Sequence, residues 1–221
     1  MGLSFLQANN STADILGTSK TINNVNIGAE ADRRYIILSG CLAETDAGGA
    51  CNLNSCTINS VAASVLVGGV NQSDVNAWIV GALVPTGTSV TVAMTFSESV
   101  FSVRFGTYRL TGVDSLTPFD TATDTADPLS FLIDIPDKGA VLAAGIQLTG
   151  GTGMTMTGIT EEFDTSFDTR RCGGGSATGL AAETNRAITI DGAGNGAGVA
   201  ASWQIKQSLL LPPSYQPFLV R

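Results

Sequence analysis

Residues 90–113, VTVAMTFSESVFSVRFGTYRLTGV, limit the possible fold more than any other stretch of the sequence. The apolar side chains of the first half all have one parity: Val90, Val92, Met94 and Phe96. Alternation with a period of two predicts a strand with one buried face. The polar residues 97–99 then interrupt the pattern, so it fits either a hairpin or one long bent strand. A change of apolar parity after Gly106 predicts a β-bulge there.

Similar apolar stretches recur along the chain, separated by residues typical of turns. They predict about eleven strands and no amphipathic helix, which indicates an all-β, antiparallel β-sandwich of jelly-roll type. We expect one sandwich domain over residues 20–207, preceded by an N-terminal arm at residues 1–19. Residues 114–128 and 161–183 are predicted to be long loops. An extended apolar tail over residues 208–221 completes the predicted organisation.

The charge and the missing residue types argue against several classes of function. The net charge of −8 argues against nucleic acid as a partner, because phosphate binding needs clustered Lys and Arg. The sequence contains no histidine, which removes Ser-His-Asp and Cys-His catalytic arrangements. We therefore expect no enzymatic activity. No apolar run is long enough to cross a bilayer, and no signal peptide is recognisable, so we expect synthesis in a cytoplasm and no membrane partner.

Two groups of acidic residues were considered as binding or catalytic sites. Asp120, Asp124 and Asp127 lie in one segment and are the candidates for a calcium site, although their spacing is not that of an EF-hand. Calcium is the only metal we expect. These aspartates could instead cap turns through hydrogen bonds to the backbone. A second acidic segment, at residues 161–168, is a weaker candidate for a calcium site or a glycosidase pair. We expect no other cofactor and no calcium requirement for folding.

Other residue types favour structural roles. Cys41, Cys51, Cys56 and Cys172 lack the spacing of a zinc site, and we expect reduced thiols, with a disulfide at Cys51 or Cys56 as the alternative. Trp78 and Trp203 could be platforms for sugar stacking. Both lie in alternating apolar stretches, so we expect them in the core. The basic pairs at residues 33–34 and 170–171 are interpreted as solvated pairs or local salt bridges.

The C-terminal tail carries an unusual number of large apolar side chains for a segment interrupted by prolines. Prolines forbid a regular helix or strand over this stretch, so the tail needs a groove that covers it. That groove could belong to the same sandwich or to a neighbouring subunit. If the neighbour provides it, the subunit contact consists of Leu209, Leu210, Leu211, Tyr215, Phe218, Leu219 and Val220.

One family resemblance follows from a turn, a strand and a loop. The turn VPTGT at residues 84–88, the strand VTVAMTFS at residues 90–97 and the loop TPFDTAT at residues 117–123 resemble β-sandwich virion structural proteins of tailed bacteriophages. These motifs are structural, and most such proteins have no assigned role. The resemblance implies a non-enzymatic virion protein made in the host cytoplasm. It also implies an oligomer, most simply a homotrimer, in contact with other virion proteins.

Two placements on the particle surface fit this resemblance: a capsid decoration or cement protein, and a tail-fibre or tail-tip module. The alternative function is a carbohydrate-binding, lectin-like domain for attachment to a host-surface glycan. Such a domain would use exposed aromatic rings and loop carboxylates.

Overall fold

The computed structural model describes residues 2–10, 16–44, 51–149, 153–167 and 169–206. In these ranges the chain forms sixteen strands, paired antiparallel, and no helix. The predicted all-β, antiparallel sandwich class is confirmed, with more strands than the periodicity indicated. No helix in the described part of the chain is long and apolar enough to cross a membrane.

The first sheet has eight strands, and the longest of them connects its two halves. The strands are β1 (Gly2–Asn10), β2 (Gly17–Asn26), β3 (Tyr35–Glu44), β4 (Leu53–Ile58), β5 (Val61–Ala62), β6 (Ser64–Gln72), β7 (Val75–Leu83) and β8 (Ser89–Thr111). The first half of β8 pairs with β2 and β4, and its second half pairs with β1 and β3. The segment predicted to be an N-terminal arm, residues 1–19, therefore supplies strand β1 to this sheet.

Strand β8 resolves the choice that the sequence pattern left open. Its 23 residues form one continuous strand rather than a hairpin. The predicted bulge at Gly106 is wrong, because Gly106 pairs in regular register with Ala8 and Ser39. The apolar parity changes for another reason: the second half of β8 is buried on both faces. Tyr108 and Leu110 accordingly pack into a different core from Val90 and its neighbours.

The C-terminal half of the chain forms two further sheets. Its strands are β9 (Asp120–Asp124), β10 (Leu129–Ile135), β11 (Gly139–Thr149), β12 (Thr155–Thr157), β13 (Thr160–Phe167), β14 (Arg170–Leu180), β15 (Glu183–Asp191) and β16 (Ala193–Gln204). The second sheet has the order β13-β14-β11-β16-β9, and the third has the order β10-β15-β12. Strands β9, β13 and β14 lie in the two segments predicted to be long loops, so that prediction is wrong.

Three apolar cores separate the layers. The outer core is built by residues of the first sheet and its loops and includes Ile36, Leu38, Trp78, Val80, Met94 and Phe105. The central core joins the first sheet to the second and includes Ile37, Cys41, Tyr108, Leu142, Ile146 and Trp203. The third core joins the second and third sheets and includes Leu129, Phe131, Val141, Ala143, Ile188 and Ile190. Both tryptophans are 1% exposed, which confirms the prediction that they lie in the core.

Strand β14 was not predicted because it is rich in glycine. Its sequence, RRCGGGSATGL, has no alternation of large apolar residues, yet residues 172–176 are buried. A Cβ atom added to Gly174 would lie 2.5 Å from the ring of Phe163, and one added to Gly173 would lie 2.7 Å from the sulfur of Met154. The neighbouring strands therefore supply the apolar bulk, and β14 must stay thin to admit them.

Candidate functional site

The most fully buried charged group lies just before strand β3. Arg34 is 0% exposed, and its guanidinium donates hydrogen bonds to five backbone carbonyl oxygens. These acceptors are Val84 at 2.7 Å, Gly28 and Thr86 at 2.8 Å, Gly87 at 2.9 Å and Ile27 at 3.3 Å. Burial and the nearby Arg109 lower the pKa of Arg34, in that order of importance. Arg34 thus fastens the segment after β2 to the turn between β7 and β8.

The second arginine pair joins strand β14 to its surroundings. Arg170 forms an ion pair with Asp74, which lies just before β7 in the first sheet. Arg171 forms an ion pair with Asp164 of β13, and the same carboxylate accepts the backbone N–H of Met154. The interpretation of this pair as local salt bridges is therefore correct. The corresponding interpretation of the first pair is wrong for Arg34, because its partners are carbonyls and it is wholly buried.

In the first acidic segment, Asp120 and Asp124 accept hydrogen bonds from backbone N–H groups. Asp124 accepts the backbone N–H groups of Thr125 and Ala126 through one oxygen and that of Ser130 through the other, at 2.6–3.1 Å. Asp120 accepts from Thr121 at 2.8 Å and from Asp134 at 2.7 Å. These are the turn-capping bonds that the sequence offered as the alternative to calcium.

Within the ranges that the structure describes, no three His, Cys, Asp or Glu side chains come together as a metal ion needs. Asp127 takes no part in the capping bonds made by Asp120 and Asp124. The calcium site at Asp120, Asp124 and Asp127 stays a prediction.

The second acidic segment contains a carboxyl placed between two sheets. One oxygen of Glu162, on β13, accepts the hydroxyl of Ser176 on β14 at 2.9 Å. Tyr108 of β8 faces the same carboxyl from the first sheet. Burial raises the pKa of Glu162, and burial together with the Glu162 charge raises the pKa of Tyr108. Glu161 points outward, and Asp168 lies outside the residues whose placement is described.

All four cysteines are free thiols and all are buried. Cys51 and Cys56 border the outer core, whereas Cys41 and Cys172 lie in the central core. Burial raises the pKa of Cys56 to about 12, which keeps that thiol protonated at neutral pH. The predicted reduced state matches the structure, and the alternative disulfide at Cys51 or Cys56 is not formed.

A trough surrounds Phe119, which is 59% exposed. Two depressions of about 240 and 300 Å³ share this residue. We call them together the Phe119 trough; their lining includes Val113, Asp114, Trp203, Lys206, Asp134, Ile135, Pro136 and Glu183. The backbone N–H of Phe119 donates to the carbonyl oxygen of Ser202 at 2.7 Å, which connects Phe119 to strand β16 of the second sheet.

Contacts between segments far apart in the chain shape the two ends of the Phe119 trough. At one end Lys206 forms an ion pair with Asp114, and the indole N–H of Trp203 donates to Leu116 at 2.8 Å. At the other end Asp134 accepts the backbone N–H of Asn185 at 2.8 Å. Sequence reasoning missed this trough, because its parts come from segments far apart in the chain and Phe119 follows no alternating pattern.

The predicted subunit contact cannot be placed by the structure. Leu209, Leu210, Leu211, Tyr215, Phe218, Leu219 and Val220 lie outside the described residues, which end at Lys206. Lys206, the last described residue, lines the Phe119 trough.

Comparisons with protein-family models, with curated proteins and with solved structures find no match to this chain.

Proposed function

We propose that this chain is a non-enzymatic structural protein of a tailed-phage virion, exposed on the particle surface. The observation that carries the proposal is the use made of buried charge. The guanidinium of Arg34 donates hydrogen bonds to five backbone carbonyls, and Arg170 joins the first sheet to the second through its ion pair with Asp74. Groups that an enzyme would direct at a substrate here join strands and layers, which favours a rigid structural body.

The layered architecture supports the same proposal. Strands β3 and β11 are buried along nearly their whole length, because each has an apolar core on both faces. Burying apolar surface stabilises by roughly 25 cal/mol per Å², so an interior with three cores resists local opening. A protein on a particle exposed to proteases and to changing solution conditions needs that resistance. The sequence resemblance to phage virion proteins supplies the particular context.

Placement on the particle is tested by labelling. Gold-conjugated antibodies against the folded chain should bind intact particles in electron micrographs. Regular labelling over the capsid supports a decoration or cement protein, and labelling confined to one end of the tail supports a tail-fibre or tail-tip module. Particles that contain the gene product nowhere on their surface would contradict the proposal.

Assembly is proposed to depend on the tail over residues 208–221, with the homotrimer expected from the family resemblance. The described residues end at Lys206, which lines the Phe119 trough, so this trough is the groove we propose for the apolar tail. Each large side chain that the trough covered would gain roughly 1.5–3 kcal/mol before ordering costs. A neighbouring copy could place its tail in this trough and so bind the two subunits together. We call this proposed contact the clasp.

Deletion of residues 208–221 tests the clasp. We expect a folded sandwich with a lower sedimentation mass than the intact chain. Phe119→Ser should weaken association in the same direction, whereas Leu132→Ser, at a residue 60% exposed on the third sheet, should leave it unchanged. An unchanged sedimentation mass in the deletion variant would mean that the tail packs on its own subunit or on nothing.

A carbohydrate-binding function is the second candidate, and the same trough favours it. An exposed ring flanked by carboxylates, here Phe119 with Asp134 and Glu183, is the kind of surface that stacks on a sugar and binds its hydroxyls. A glycan array should then give binding that Phe119→Ala abolishes and Leu132→Ala retains. Polysaccharide turnover, abolished by Asp120→Asn or Glu161→Gln, would contradict the proposal of a non-enzymatic protein.

A further inference from the structure

Two thiols meet at the centre of the molecule, where the first and second sheets join. Cys41 lies on β3 and Cys172 on β14, and both are 0% exposed. In the first sheet Cys41 stands opposite Arg104 of β8. The sulfur of Cys172 lies 3.7 Å from the carbonyl oxygen of that same Arg104. Both side chains therefore enter the central core beside Arg104.

A glycine stands next to each of the two thiols in the sequence. Gly40 precedes Cys41, and Gly173 follows Cys172. A Cβ atom at Gly173 would lie 3.1 Å from the carbonyl oxygen of Phe163, so a larger residue would push β14 away from β13. The remaining cysteines, Cys51 and Cys56, belong to the outer core, on the far side of the first sheet.

We propose that Cys41 and Cys172 form a redox-sensitive pair that closes to a disulfide between the first and second sheets when a small peroxide reaches the central core. This goes beyond the proposed structural role, since it assigns a chemical modification to two named residues. It also holds whether or not the chain is part of a virion.

The chemistry balances with hydrogen peroxide as the oxidant. The thiolate of one cysteine attacks a peroxide oxygen, the O–O bond breaks, and the sulfur becomes a sulfenic acid while water leaves. The sulfur of the second cysteine then attacks the sulfenic sulfur, a second water leaves, and the S–S bond forms. In total two thiols lose two electrons and two protons, and one peroxide becomes two waters.

The surroundings of the pair set the rate and the consequence. Burial and the contact with Cys172 raise the pKa of Cys41, so little thiolate exists at neutral pH and oxidation should be slow. A small uncharged oxidant can reach the pair through brief local opening, whereas a bulky disulfide such as oxidised glutathione should react far more slowly. The new bond would close a loop of about 130 residues, which restricts the unfolded chain strongly.

The test uses the full chain, treated with hydrogen peroxide and then alkylated in denaturant before peptide mass mapping. We expect alkylation of two cysteines instead of four, and a linked pair of peptides that contain Cys41 and Cys172. The melting temperature of the oxidised protein should rise by about 4–10 °C and return on reduction. Four alkylated cysteines after prolonged treatment, or a link that involves Cys51 or Cys56, would overturn the proposal.

Two variants separate this pair from the other thiols. The double variant Cys51→Ser with Cys56→Ser should still form the link and still gain thermal stability on oxidation. Cys172→Ser should form no link and gain nothing. Should Cys172→Ser fail to fold, the mapping of the intact chain and of the double variant still decides. A link between Cys41 and Cys172 that lowers the melting temperature would overturn the claim that it fastens the two sheets.

Discussion

Strands β3 and β14 occupy similar positions but are built from opposite kinds of residue. Each follows or begins with an arginine pair, each lies between two strands of its sheet, and each contributes a cysteine to the central core. Strand β3 reads YIILSGCLAE and fills its own surroundings with large side chains. Strand β14 reads RRCGGGSATGL, and its surroundings are filled by Phe163 and Met154 from neighbouring segments. Burial therefore follows from how neighbours fit, as well as from the strand's own hydrophobicity.

The two arginine pairs differ in the same way. Arg34 has no exposed surface and bonds only to carbonyls among its described partners, so it acts as part of the interior. The side chain of Arg171 is 20% exposed and forms an ion pair with Asp164. Arg34 is thus part of the interior, whereas Arg171 forms an ion pair that stays partly exposed.

The largest loss of stability should come from adding one methyl group to β14. A Cβ atom at Gly175 would overlap the carbonyl group of Thr160 and the Cα of Glu161, which are backbone atoms and cannot rotate away. Gly175→Ala should therefore destabilise the protein by about 4 kcal/mol or more, measured by urea unfolding.

The matched control for this change lies on the same strand. Nothing lies within 4 Å of a Cβ placed on Gly179, whose φ of +72° suits asparagine better than other residues. Gly179→Asn should cost less than about 1 kcal/mol. Equal costs for the two variants would show that β14 is not pressed between its neighbours and would break the comparison with β3.

The next largest difference in stability should be between variants of Arg34 and Arg171. Arg34→Met retains the side-chain bulk but leaves five carbonyls without their donor, so we expect a loss of about 3 kcal/mol in the free energy of unfolding. Arg171→Met removes one partly exposed ion pair, and we expect a loss of about 1 kcal/mol or less. Both values come from the same urea titrations. A larger loss for Arg171→Met than for Arg34→Met would reverse the assignment of the two pairs.

Alternating patterns predicted the strands whose own side chains make the core. The first half of β8 was recognisable, as were β7 and β16, which contain the two buried tryptophans. Strands β13 and β14 were not recognisable. Glycine gives β14 no periodic signal, and the ring that packs against it, that of Phe163, lies on the neighbouring strand β13. The Phe119 trough and the Cys41–Cys172 contact depend on chain segments brought together only by folding, so no local pattern could indicate them.

A smaller effect is expected at Glu162, the carboxyl that faces β14 from β13. Because burial raises its pKa in the folded state, the folded protein binds this proton more tightly than the unfolded chain does. Its contribution to stability is therefore greatest below the ordinary glutamate pKa and falls as the pH rises through the folded-state value.

Glu162→Gln should remove this dependence while retaining an acceptor for Ser176. We expect the variant to match the native protein near pH 4 and to exceed it by less than about 1 kcal/mol at pH 8. The measurement is thermal or urea unfolding of both proteins across this pH range. A variant that is less stable at pH 8 than at pH 4, relative to the native protein, would show that the charged carboxylate is favourable in this interior.

Amide hydrogen exchange tests the central claim most directly, since it asks whether a glycine-rich segment is an interior strand. Peptides that cover residues 172–176 of β14 should exchange as slowly as those that cover residues 37–42 of β3, because both sets of amides lie in paired, buried strands. Exchange of residues 172–176 within seconds, while residues 37–42 stay protected for hours, would contradict the account and return β14 to the loop that its sequence suggested.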